Sequence, residues 1–319
     1  MMYRRKRRKQ KRHLPKIVVL AMLAIIGVFV FVRASGGGCE YTSVNSALST
    51  AFRLRSREQA DVESDTMGEV PIVLPPGFPA FTTQISTTDI MDTQYLTLVN
   101  REHALTSPVN HAHLVTAWPN IPARDSEVML HKTAFSAIQD LFSAAERANI
   151  HSFFVACGFR SHDMQNYLYT TMVDTAYVMP PGHSEHQLGL AADILTSAHD
   201  FQDIRGTQEA RWLAENAPQF GLILRYPENK QEITGVPYEP WHFRYIGRIH
   251  AWYMGRQNFV LEEYIEYLQR NDGFRAEFDG KSYYVLYQRP ENGILFVPVY
   301  LDFTVSRANT GGYIVTTWR

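Results

Sequence analysis

Sixteen consecutive apolar residues, Ile17 to Val32, follow directly on a run of positive charge. Wound as a helix, that stretch rises roughly 24 Å, against ~30 Å for the hydrocarbon core of a bilayer. Leu14 and the snorkelling stems of Lys16 and Arg33 lengthen its reach. Residues 1–34 hold ten Lys or Arg and no Asp or Glu. The rest of the chain keeps 21 of the 31 basic residues against all 32 acidic ones, a net of −11. Positive flanks stay cytoplasmic, which predicts a basic cytoplasmic segment over 1–13 and a single membrane pass over 14–33. The exported remainder would face the outside of the cell membrane. Cleavage near Val32-Arg33-Ala34 competes with a retained anchor, and the length of the apolar run favours the anchor. An acidic exported body is poorly suited to neutralising phosphates, so no nucleic-acid partner is expected.

Beyond the membrane segment, 34–94 reads as a stalk, with Ser, Thr and the prolines Pro71, Pro75, Pro76 and Pro79 and little apolar periodicity. The pattern tightens over 95–270. Leu96 and Leu98 predict a short strand, and Leu130, Ala134, Ile138, Leu141, Phe142 and Ala145 repeat at helical spacing over about Glu127–Asn149. Ser152–Ala156 and Gly221–Tyr226 read as strands, and Thr207–Asn216 and Leu261–Gln269 as helices. Over 271–319, three aromatic and β-branched runs (Tyr283–Tyr287, Ile294–Val299 and Tyr313–Thr317) are punctuated by Asn292-Gly293 and Gly311-Gly312. They predict a small antiparallel β unit. Cys39 and Cys157 are two cysteines, too few for a disulfide framework, and are read as free thiols.

The chemistry-bearing residues concentrate in Pro181–Ile194 and Tyr238–Tyr245. Together these segments offer His186, Asp193 and His242 as donors, with Glu239 three residues before the second imidazole. Three protein ligands and one open position are what a catalytic zinc requires, and a spare carboxylate then serves as base. Spacing alone leaves open whether these are ligands or polar residues capping a core. On a regular strand His186 and Asp193 face opposite sides, so they converge only if the chain bends, and Gly189 is where it can.

The order Ser184-x-His186-x-x-Gly189-x-Ala191-x-Asp193, followed by Glu239-Pro240-Trp241-His242, strongly resembles the paired signature of the zinc D-alanyl-D-alanine carboxypeptidases of the VanY type, peptidase family M15. Gly158-Phe159-Arg160-Ser161 with Gln165, and Arg225-Tyr226-Pro227, are supporting matches, and the likeness covers about 95–270. It implies an α+β fold, helices packed on a small antiparallel sheet that carries the site. It further implies one Zn²⁺ per chain held by His186, Asp193 and His242, with Glu239 as catalytic base. The expected reaction is removal of a C-terminal D-amino acid, D,D or L,D, from peptidoglycan stem peptides or precursors. Arg160, Gln165 and Ser184 are the expected substrate contacts. Arg160 would bind a terminal carboxylate or the developing oxyanion, in competition with a plain surface ion pair. Glu185 is next in line as base. His183 and His111-x-His113 are not expected to bind metal, and Trp241 is expected to pack. Two further readings remain: a wall endopeptidase on the same site, and a non-catalytic wall-binding protein.

Overall fold

The computed structural model of the chain describes residues 77–172 and 176–319. The expected cytoplasmic segment, the membrane pass, most of the stalk and Cys39 lie outside the described residues. Among the described residues no helix is long and apolar enough to cross a membrane.

In chain order come strands β1 (Phe81–Ser86), β2 (Leu114–Thr116) and β3 (Met129–His131), helix α1 (Lys132–Arg147), β4 (Phe153–Cys157), α2 (His162–Thr171) and β5 (Ala191–Thr196). Then follow α3 (Gln208–Asn216), β6 (Leu222–Leu224), the single turn α4 (Gln231–Thr234), β7 (His242–Tyr245), α5 (Arg248–Gln257) and α6 (Leu261–Asn271). Strands β8 (Gly273–Phe278), β9 (Lys281–Gln288), β10 (Ile294–Pro298), β11 (Phe303–Arg307) and β12 (Tyr313–Trp318) close the chain.

The sheet that matters for chemistry is antiparallel, in the order β4-β5-β7-β6. Every residue of β5 is buried, because this inner strand is covered on both faces. Helix α1 lays Ala137, Ile138, Leu141, Phe142 and Ala145 against Val155, Ile194 and Phe243 of that sheet. Ile138, Leu141, Phe142 and Ala145 are among the helically spaced residues of the sequence, so that apolar stripe does form the core, while Leu130 lies on β3 before the helix. The helix starts later than expected, since Met129–His131 pairs with β2 and the His131 side chain caps the helix by accepting from Thr133 N. Helices α2 and α5, which the apolar periodicity did not reveal, have weakly sided apolar faces, and α2 buries a single residue, Gln165.

Two expectations are corrected at the stalk boundary. Phe81–Ser86 is not linker: it pairs antiparallel with β10, and Asp92 and Thr93 bond to Arg307 and Val305. Only Phe81 of that strand is buried, so its apolar signal was too thin to read. Leu96 and Leu98 are buried but form no strand. The carbonyls of Gln94, Tyr95 and Thr97 instead accept from Arg244 Nη2, and Leu98 N donates to Ala308 O. The terminal β unit is larger than three strands, a sheet β11-β12-β9-β8 beside the pair β1-β10. Phe274, Val285, Tyr287 and Ile314 of its strands share one core with Leu261, Tyr264, Ile265 and Leu268 of α6.

Candidate metal centre

Strand register gathers the first donors. Across β4, β5 and β7, Cys157 stands opposite Asp193 and Asp193 opposite His242. Directly paired positions of antiparallel strands present their side chains on one face. His186 reaches the same place by a bend. Glu185–Leu188 form a 3₁₀ turn, and Gly189, left-handed at φ 67°, turns the chain into β5. A Cβ there would stand 2.6 Å from Leu114 Cδ2, so glycine answers both to the backbone and to the space.

Both imidazoles approach Asp193. His186 Nε2 lies 3.5 Å from Asp193 Oδ2, and His242 Nδ1 lies 3.1 Å from Asp193 Oδ1. Ligands sharing a tetrahedral ion at about 2.0–2.1 Å stand roughly 3.3–3.5 Å apart, so each imidazole stands near ligand-pair spacing from Asp193. His186 Nδ1 donates to Gly158 O at 2.7 Å, which leaves Nε2 to coordinate. Glu239 Oε2 sits 3.6 Å from His242 Nδ1, beside the donor set, and its backbone N–H bonds Tyr226 O. All four side chains are buried. The two imidazoles, one carboxylate and a neighbouring second carboxylate fit a catalytic zinc with an open position.

The one donor triple within 4.8 Å among the described residues is Cys157 Sγ with His186 and Asp193. The Cys157 sulfur, however, lies 3.9 Å from His186 Nδ1, the nitrogen already bonded to Gly158, and Arg160 Nη2 donates to it at 3.3 Å. It therefore stands behind His186 and completes the setting of Arg160.

Burial and charge oppose one another throughout the site. Burial is the largest influence on Glu239, and with Asp193 nearby it pushes the carboxyl up to about 7, against the pull of His242, His186 and Arg160. Asp193 is also buried, yet the facing imidazoles hold it well below the carboxylate range. Burial would raise the Cys157 thiol, but Arg160 and His186 bring it down to about 6.

Behind His242 lies a buried ionic network. Arg225 Nε donates to Glu185 Oε1 at 2.8 Å, and Arg244 Nη1 lies 3.1 Å from the same oxygen. The other end of Arg225 forks onto Glu262 of α6 at 2.6 and 2.9 Å. Glu185 is thus engaged by two guanidinium groups, away from Glu239, and is not placed as a substitute base. These residues carried no periodic or motif signal that tied them together.

The expected substrate contacts divide. Arg160 is half-buried beside the donors, with its backbone N–H on His186 O. Gln165 is fully buried, with Oε1 accepting from Arg160 Nη1 and Nε2 donating to Met179 O, so it braces Arg160. Ser184 is buried at the head of the His186 turn. The His183 ring bonds Asn100 O at 2.7 Å, away from the donors. Trp241 packs edge-on against Phe201. His111 and His113 pack edge-on against Phe159 and His131.

Comparison with known proteins converges on one family. Residues 127–248 match the family model described as VanY, D-alanyl-D-alanine carboxypeptidase. A D-alanyl-D-alanine carboxypeptidase of Enterococcus faecium is 36% identical over 195 residues, 61% of this chain and 63% of that protein. The chain therefore spans less than two thirds of that relative. The bifunctional D-Ala-D-Ala dipeptidase and D-Ala-D-Ala carboxypeptidase VanXYC of Enterococcus gallinarum is 34% identical over 54% of this chain and 94% of its own. Among solved structures, the vancomycin-resistance D,D-dipeptidase VanXYg in complex with a D-Ala-D-Ala phosphinate analogue superposes with a TM-score of 0.64 at 27% identity. That match covers 74% of this chain and 98% of the other.

Proposed function

Since the chain belongs to the VanY-type D-alanyl-D-alanine carboxypeptidases, we propose that it is a membrane-anchored zinc enzyme that removes the C-terminal D-Ala from peptidoglycan stem peptides or their precursors. The observation that carries this reading is the approach of His186 and His242 to the two oxygens of Asp193, at 3.5 and 3.1 Å, beside the buried carboxylate of Glu239. Those three residues would hold the ion. A zinc there supplies Lewis acidity, acidifying water toward a pKa of ~7 and polarising the scissile carbonyl.

Glu239 is the base. Its carboxylate takes the proton of the attacking water and passes it to the leaving amine, a role suited to a group poised near neutral pH. Arg160, steadied by Gln165 and Cys157, presents its guanidinium beside the donors. A planar fork suits the free carboxylate of a peptide terminus, which makes the enzyme an exopeptidase. The activities for which the relatives are named, D-Ala-D-Ala carboxypeptidase and dipeptidase, support a D,D substrate. The basic segment and the apolar run Ile17–Val32 support anchoring with the catalytic part outside the cell. Protease added to intact cells should therefore remove the catalytic part, and its protection would contradict the orientation.

The direct test is incubation of the purified chain with a stem pentapeptide ending in D-Ala-D-Ala. One free D-Ala per peptide should appear, stop on chelation and resume on adding Zn²⁺. Undiminished release after chelation would overturn the zinc reading, and release of the intact dipeptide would replace the carboxypeptidase with an endopeptidase.

A further inference from the structure

His242 Nε2 and Glu185 Oε2 are buried, lie 3.6 Å apart, and find no hydrogen-bond partner among the described residues. Two unsatisfied polar atoms aimed at one another inside a core call for a physical reason. His242 turns Nδ1 toward Asp193 and Glu239, so a ring that coordinates through Nδ1 carries its proton on Nε2. The group that this N–H faces is Glu185. We propose that Glu185 is a positioning residue of the metal centre: it orients His242 through Nε2–H, and it is itself fixed by Arg225, whose fork is closed by Glu262 of α6.

Three features separate this from a network that serves stability alone. Glu185 Oε1 accepts a hydrogen bond from Arg225 and only an ion-pair contact at 3.1 Å from Arg244 Nη1, while Oε2 has no hydrogen bond among the described residues and lies 3.6 Å from the ring nitrogen. Arg244 is pinned by three backbone carbonyls, so Glu185 has no freedom to follow another partner. Carboxylate–histidine pairs behind a metal fix the ring tautomer and raise its basicity as a ligand. The relay also reaches outside the segment that matches the family model, which ends at 248. Glu262 sits on a helix whose apolar face packs into the C-terminal β unit, so that unit has one carboxylate's reach into the catalytic centre.

The inference rests on the proposed His186–Asp193–His242 ligand set. It is tested on the full chain in detergent, labelled with ¹⁵N-histidine and loaded with ¹¹³Cd²⁺. The expected spectrum couples the metal to His242 Nδ1 and shows a proton on Nε2. Coupling to Nε2 instead would overturn the inference and leave the ligand set intact, whereas no coupling to His242 would overturn both. Zinc affinity by chelator competition supplies a second readout. In Glu185→Gln an amide NH₂ replaces the acceptor facing Nε2–H, and affinity should fall by roughly 10–100-fold. Glu262→Gln, at the more exposed end, should lower it in the same direction by a smaller factor. Affinity in both variants within about twofold of wild type would show that the network acts on the fold only.

Discussion

Asp193 and His242 occupy directly opposed positions on β5 and β7, and their side chains meet at 3.1 Å between Oδ1 and Nδ1. Residues 49 apart thus become neighbours through strand register, the most rigid device this fold has for holding two donors. A one-residue slip of β7 would send His242 to the other face and dismantle the site. Register here is resisted by Phe243, buried on the face opposite His242 against Val155, Ile194 and α1.

The acid limb of activity should report Glu239. Burial holds its carboxyl at about 7 without metal, and a nearby dication favours the ionised form and pulls that value down. The base works only when ionised, so kcat/KM should fall as pH drops, with a midpoint between about 4.5 and 7. A midpoint above 7, or no decline down to about 4.5, would contradict this assignment.

Metal-free protein should carry the opposite mark of the same group. The folded state binds the Glu239 proton more tightly than an unfolded chain does, at about 7 against 4.5. Its contribution is therefore present below 4.5 and is lost as pH rises through 7, a cost on the order of 3 kcal/mol. Glu239→Gln cannot ionise and escapes that cost. With metal removed, the variant should match wild type near pH 4.5 and unfold at higher denaturant near pH 8. Equal stability at both values would mean that Glu239 does not titrate high.

Arg160 should read the substrate terminus. Wild type should strongly prefer a free carboxylate over an amidated end. Arg160→Lys keeps the charge but loses the planar fork, so kcat/KM for the free acid should drop by roughly 10–100-fold and the preference should narrow. Preference retained in the variant would assign the carboxylate to another group.

The site residues were named through the resemblance of two short segments to the VanY-type signature; spacing alone left them open, and the one local clue was Gly189, where the chain could bend. The apolar stripe of α1 was legible from local spacing. What escaped depends on distant pairing. Cys157 gains its meaning from standing opposite Asp193 and under Arg160, and nothing within Phe153–Cys157 announces that. Gln165 reads as a polar surface residue of a helix until its burial and both amide contacts are seen. Glu185, Arg225, Arg244 and Glu262 span 78 positions and meet only in the folded chain. Phe81–Ser86 found its partner in β10, more than 200 residues on, which no local pattern encodes.

The central claim is that three residues hold the ion while Glu239 moves the proton, and a defined muropeptide pentapeptide tests it directly by mass spectrometry. Wild type should convert it to the tetrapeptide by loss of one terminal alanine. Glu239→Gln should keep its zinc and slow that conversion by at least ~10²-fold, whereas His242→Ala should lose zinc and conversion together. An unchanged pentapeptide with wild type, or full turnover in Glu239→Gln with zinc retained, would contradict the account.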